Sequence, residues 1–76
     1  MTTSYVFIQI SSGDPFDTLS SIQDVEGVKQ AHLVLGPTDI IAFVEAADME
    51  ALGTTLMAIL ALDGVAHTDT RLAWPV

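Results

Sequence analysis

Cysteine is absent from the 76 residues, which removes disulfides and thiolate zinc sites as means of holding so short a chain together. Cations are nearly absent too: Lys29 and Arg71 stand against ten acidic residues, for a formal charge of −8. Such a chain cannot neutralise a row of phosphates, and its field repels nucleic acid and anionic lipid. The expectation is therefore no direct nucleic-acid binding and no membrane partner. No apolar run approaches the roughly 18 residues of a membrane span, and Met1-Thr2-Thr3-Ser4 carries no positive leader region, so the chain reads as cytoplasmic. What is abundant is aliphatic side chain. Half of the residues are hydrophobic and only 16% are charged, too apolar for a disordered acidic tail. One folded domain over residues 1–76 follows. A domain of this size buries only about 60% of the surface its unfolded chain exposes, so self-association is expected to supply the missing stability.

Ser4 to Ser11 alternates Val6/Ile8/Ile10 with Tyr5/Phe7, the pattern of a strand that is apolar on both faces. Gly13-Asp14-Pro15 supplies a break, an N-cap and a proline for the first helical position. Phe16, Leu19 and Ile22 then recur at helical spacing, with Val25 continuing the row, so a short helix should end near Gln23. Val28 to Leu35 and Asp39 to Ala46 read as two central strands joined by a tight turn at Gly36-Pro37-Thr38-Asp39. Asp48 can cap a second helix with the apolar row Met49, Leu52, Leu56, Ile59 and Leu60, ending near Ala61. The other side of that helix, with Gly53, Thr54, Met57, Ala58 and Ala61, lacks a charged face and invites cover by another subunit. Val65 to Trp74 is the fourth strand, stopped by Pro75.

The halves echo one another, since Val25-Glu26-Gly27-Val28 is matched by Leu62-Asp63-Gly64-Val65. Two right-handed β-α-β units joined by a hairpin give the α+β, ferredoxin-like βαββαβ arrangement, a four-stranded antiparallel sheet with both helices on one face. Tyr5/Phe7 cannot share a face with Val6/Ile8, nor Ile41/Phe43 with Ile40/Ala42/Val44. A monomer would leave one apolar sheet face in water, so a face-to-face homodimer is expected.

Chemistry-bearing groups are few. The imidazoles are His32 and His67, both on expected strands. With Asp69 they could ligate a metal, but they lack any motif spacing, so neither a metal nor another cofactor is expected. Asp14/Asp17 and Asp48/Glu50 sit at helix starts, where capping accounts for them better than acid–base catalysis. Trp74 reads as a core or interface residue rather than a binding platform. Only the Gly36–Asp39 turn offers concentrated polar backbone.

Taken together, Val25-Glu26-Gly27-Val28, the strand ending Leu33-Val34-Leu35, the Gly36-Pro37-Thr38-Asp39 turn, Ile40–Val44, and Asp63-Gly64-Val65 with Thr68 and Thr70 resemble the effector-binding (RAM) domain of Lrp/AsnC regulators, in a stand-alone form without the helix-turn-helix. The resemblance implies a dimer formed through the sheets, often four dimers in an octamer, with amino acids or related small molecules bound where dimers meet. By that similarity Gly36, Thr38 and Asp39 would line an effector cleft, and Thr68 and Thr70 would contribute from a neighbouring subunit. The amides of Thr38 and Asp39 would meet a carboxylate and the Asp39 side chain an ammonium group. Thr38 stands where the family frequently has an aromatic residue.

Two functions follow. One is a non-enzymatic sensor that modulates transcription of amino-acid metabolism through a partner, such as a full-length Lrp/AsnC regulator. The other is a small dimeric α+β-barrel enzyme with a pocket inside each subunit built around His32 or His67. An ACT-type amino-acid-binding domain would share the topology and differ in how subunits pair.

Overall fold

The computed structural model describes residues 1–74. Six elements follow in order: β1 (Thr2–Ile10), α1 (Pro15–Gln23), β2 (Val28–Leu33), β3 (Ile40–Ala46), α2 (Met49–Leu60) and β4 (Val65–Leu72). The sheet runs β2-β3-β1-β4 with every neighbouring pair antiparallel, which is the ferredoxin-like βαββαβ fold.

Both helices begin where their capping residues dictate. The Asp14 carboxylate accepts from the Phe16 amide at 2.9 Å with Pro15 at the first position, and Asp48 accepts from the Ala51 amide at 2.8 Å. These bonds satisfy N–H groups that have no partner within the helix. Under the helices, Val6 and Ile8 of β1, Ala31 of β2, and Ile40, Ala42 and Val44 of β3 meet Ile22 of α1 and Leu52 and Ile59 of α2. The opposite face carries Tyr5, Phe7, Ile41 and Phe43 in direct cross-strand register. Tyr5 and Phe43 rings lie 5.1 Å apart, and Arg71 sits 5.0 Å above the Phe7 ring. The two apolar sets thus separate as the alternation requires, and it is the Tyr5/Phe7 set that no helix covers.

The internal echo has a packing reason. Gly27 and Gly64 follow α1 and α2 and both take a left-handed φ, +99° and +91°. A Cβ on Gly27 would lie 2.7 Å from Thr55 Oγ1 of α2, and one on Gly64 would lie 2.7 Å from Thr18 Oγ1 of α1. Each half's turn therefore presses on the helix of the other half. The Gly27 carbonyl accepts from Glu45 N and the Gly64 carbonyl from Ser11 N, so the same pair of contacts occurs twice.

That packing overturns parts of the expected helix faces. Thr18 and Thr55 are buried, while Phe16, Met49 and Leu60 are exposed. The close approach of the glycine turns admits a small, hydrogen-bonding side chain and rotates the larger residues outward. Thr55 Oγ1 donates to the Glu26 carbonyl at 3.0 Å. Three strand expectations are also corrected. β2 is an edge strand rather than a central one and ends at Leu33. The β2–β3 connection is a six-residue loop, closed by Val34 N–H donating to the Asp39 carbonyl at 2.9 Å, rather than a tight turn. β4 ends at Leu72, short of Trp74, and the expected stop at Pro75 lies outside the described residues.

Candidate functional site

The β2–β3 loop is pinned at both flanks. The Asp39 amide donates to the Ile8 carbonyl at 3.2 Å, its carboxylate Oδ2 accepts from the Ile10 amide at 2.8 Å, and Gln9 Nε2 donates to the Pro37 carbonyl at 2.6 Å. β1 thus holds the loop through main chain and side chains. The Ile10 amide faces the β3 side of β1, where pairing stops at Ile8 opposite Ile40, so the Asp39 carboxylate stands in for a strand partner. Gly36, at φ +136°, stands in open space with nothing near a Cβ placed on it. The Asp39 amide, expected to be free for a ligand carboxylate, is spent within the sheet. Thr38 remains the amide of that pair without a backbone bond among the described residues.

Next to the loop is an open cleft of about 430 Å³ bordered by Ser11–Gly13, Phe16, Leu35 and Asp39. Asp39 is the one ionisable side chain on its lining. Leu35 is fully exposed and Phe16 68% exposed, which is costly in water for two large apolar groups beside one cleft. Sequence reasoning alone misses Gln9, the Ser11–Gly13 segment, Phe16 and Leu35. Gln9 could have been found as the polar residue interrupting an apolar strand; the others come together only through chain folding.

Thr68 and Thr70 lie elsewhere. They face the helix side of β4, opposite Ile8 and Val6, in a groove of about 640 Å³ against Gly53, Leu56, Met57 and Leu60 of α2. They share no cleft with Gly36, Thr38 and Asp39 within one subunit. His32 and His67 stand exposed on opposite edge strands, three strand spacings or roughly 14 Å apart across the sheet and further offset along it, since His67 lies opposite Gln9 and His32 in the row of Phe7. Among the described residues no three histidine or acidic side chains converge as a metal site would require. Trp74 is 94% exposed, so it is not a core residue of the single chain.

The model of the family described as "Lrp/AsnC ligand binding domain" matches residues 3–74. This chain belongs to that family. Among solved structures, the Lrp/AsnC domain is similar to TTHA0845 from Thermus thermophilus, with 31% identity, a TM-score of 0.91, and coverage of 100% of this chain and 96% of that one. It shares its fold with Escherichia coli AsnC at 22% identity and a TM-score of 0.88, covering 99% of this chain and 53% of AsnC. A feast or famine regulatory protein of M. tuberculosis, solved with L-methionine, has the same fold at 21% identity and a TM-score of 0.84, with 100% of this chain and 52% of that one covered. The Lrp/AsnC domain thus spans about half the length of these two regulators. Among curated protein sequences none matches significantly.

Proposed function

We propose that residues 1–76 act as one non-enzymatic domain that binds a small amino-acid-like effector beside the Gly36–Asp39 loop at a junction between subunits. In this reading it works in the cytoplasm and passes occupancy to a partner that contacts DNA, such as a full-length Lrp/AsnC regulator. The observation that carries the reading is the pinned loop at the mouth of the cleft. Gly36 allows close approach of a ligand, the Thr38 amide can meet a carboxylate, and the anchored Asp39 carboxylate keeps lone pairs for an ammonium group. Thr68 and Thr70 would serve a cleft only through assembly with a second copy. The homodimer forms through the Tyr5/Phe7/Ile41/Phe43 face, and larger rings of dimers are compatible with it. A DNA-contacting partner is required because a chain with Lys29 and Arg71 as its only permanent cations cannot hold a phosphate backbone at physiological salt.

The test is a thermal-shift screen against the proteinogenic amino acids. A true effector at 100 times its dissociation constant stabilises by roughly 2.7 kcal/mol, and that shift should vanish in Gly36→Val. In Asp39→Asn, which keeps an acceptor for Ile10, binding of ammonium-bearing ligands should weaken by about 1 to 3 kcal/mol. A shift that survives both substitutions locates the effector elsewhere. The enzyme reading has less support, since His32 and His67 stand exposed on the outer sheet face and neither is hydrogen-bonded to an acid among the described residues.

A further inference from the structure

The sheet has two edges, and the chain treats them differently. On β2 the edge is blunted, because Gln23 Nε2 from α1 donates to the Ala31 carbonyl at 3.2 Å and the β2–β3 register slips between Val28 and Gln30. On β4 nothing among the described residues pairs with the outer side over eight residues. An open strand of that length is a template for another strand unless something blocks it.

Which groups face outward follows from one hydrogen bond. The Ala73 amide donates to the Thr3 carbonyl at 3.0 Å, so by the two-residue alternation of a strand the amides of Arg71 and Asp69 also face β1. The N–H and C=O groups of Thr68, Thr70 and Leu72 then point away from the sheet. Beside this edge on the helix side lie the exposed apolar residues Met57, Leu60 and Leu72, with the groove formed by Gly53, Leu56, Thr68 and Thr70 between them. On the other side Arg71 and Asp69 form an exposed pair at 3.0 Å.

We propose that the outer edge of β4 is a second self-association surface, distinct from the sheet face, at which β4 of one copy pairs antiparallel with β4 of another about a two-fold axis at Thr70. The occupant is a second copy because the edge is complementary to itself in that register alone. With Thr70 opposite Thr70, the outward amide and carbonyl of each bond those of the other, and Thr68 bonds with Leu72 of the second copy. Asp69 then stands against Arg71 and Arg71 against Asp69, two cross-strand pairs of opposite charge at the close, non-hydrogen-bonded positions. Centring on Asp69 or on Arg71 sets like charges face to face, and centring on Leu72 puts Arg71 against Ala73. Centring on Thr68 sets Asp69 against His67 rather than a permanent cation and leaves Arg71 without an acid. Pairing at Thr70 also brings the two α2 helices together across the joint, covering the Met57, Leu60 and Leu72 side chains and the charge-free side of α2. The two sheets become one of eight strands.

The experiment measures the mass of the full chain by sedimentation and light scattering, with circular dichroism to verify folding. Thr70→Pro keeps the bonds to β1, since the Thr70 amide faces outward, but blocks the joint. Phe43→Lys blocks the sheet face instead. The unsubstituted chain should assemble beyond a dimer, each variant should fall to a dimer, and the combination should be a monomer. Asp69→Arg and Arg71→Asp should each raise the dissociation constant of the joint tenfold or more, and an equimolar mixture of the two should recover assembly as mixed pairs. That recovery cannot come from the pair within one chain, which mixing leaves broken. A folded Thr70→Pro variant with undiminished mass, or charge variants that assemble alone as well as together, would overturn the proposal. Loss of mass in Thr70→Pro with none in Phe43→Lys would leave the edge standing and remove the sheet-face dimer.

Discussion

Single residues explain why the two halves look alike. Gly27 and Gly64 each combine a left-handed φ with a threonine hydroxyl 2.7 Å from where a Cβ would sit. An L side chain in the left-handed region costs about 1–2 kcal/mol before any clash. Gly27→Ala and Gly64→Ala should therefore each lower stability by roughly 1 to 3 kcal/mol and by similar amounts, read from urea midpoints. Equal stability of either variant and the parent would show that the turns relax freely. Ser4 is the opposite case. It is fully buried beneath the helices and its hydroxyl has no hydrogen-bond partner among the described residues, and an unsatisfied buried hydroxyl costs about 1–3 kcal/mol in lost hydration. Ser4→Ala should raise the unfolding midpoint, and a loss of stability would mean that the hydroxyl is satisfied in solution.

Among the elements, the helices depend on their caps more than on their composition. α2 holds Gly53 and two threonines over Met49–Leu60, none of them a strong helix former, so the bond from Ala51 N–H to Asp48 matters. Asp48→Ala should cost about 1 kcal/mol, and Asp48→Ser should recover most of it. Thermal melts of the two variants check the order. β1 is the other governing element. It lies between β3 and β4 and holds the β2–β3 loop through Gln9, Ile8 and Ile10, so the candidate cleft is only as ordered as the end of β1.

At the scale of the whole molecule, the decisive quantity is apolar surface left on the outer sheet face. Tyr5 remains 47% exposed in a patch with Phe7, Ile41 and Phe43, flanked by His32, His67 and the Asp69–Arg71 pair. Burying an aromatic side chain is worth about 1.5–3 kcal/mol, and two copies face to face bury several. Phe43→Lys should block the proposed face-to-face contact while sparing the core, because the Phe43 side chain points away from the helices. Light scattering should then show a smaller particle with an unchanged far-UV spectrum. An unchanged particle would place the contact elsewhere.

The order and type of the six elements, the two acidic-glycine turns, both N-caps and the split of β1 and β3 into two apolar sets were legible in the sequence. Each depends on residues close together in the chain: alternation, helical spacing, a capping carboxylate, a glycine. The placement of Gly36, Thr38 and Asp39 on one loop was legible for the same reason. Tertiary structure decided the rest. Phe16, Met49 and Leu60 turn outward while Thr18 and Thr55 turn in, because the contact that sets each helix's rotation comes from a glycine turn in the other half of the chain. Asp39 gives its amide to Ile8 and its carboxylate to Ile10 because β1, some thirty residues earlier, lies alongside. Thr68 and Thr70 fall in a groove against α2 because strand order puts β4 at the far edge. Spacing along the chain carries no record of which strand lies outermost or which turn presses on which helix, since those are settled by contacts between residues distant in sequence.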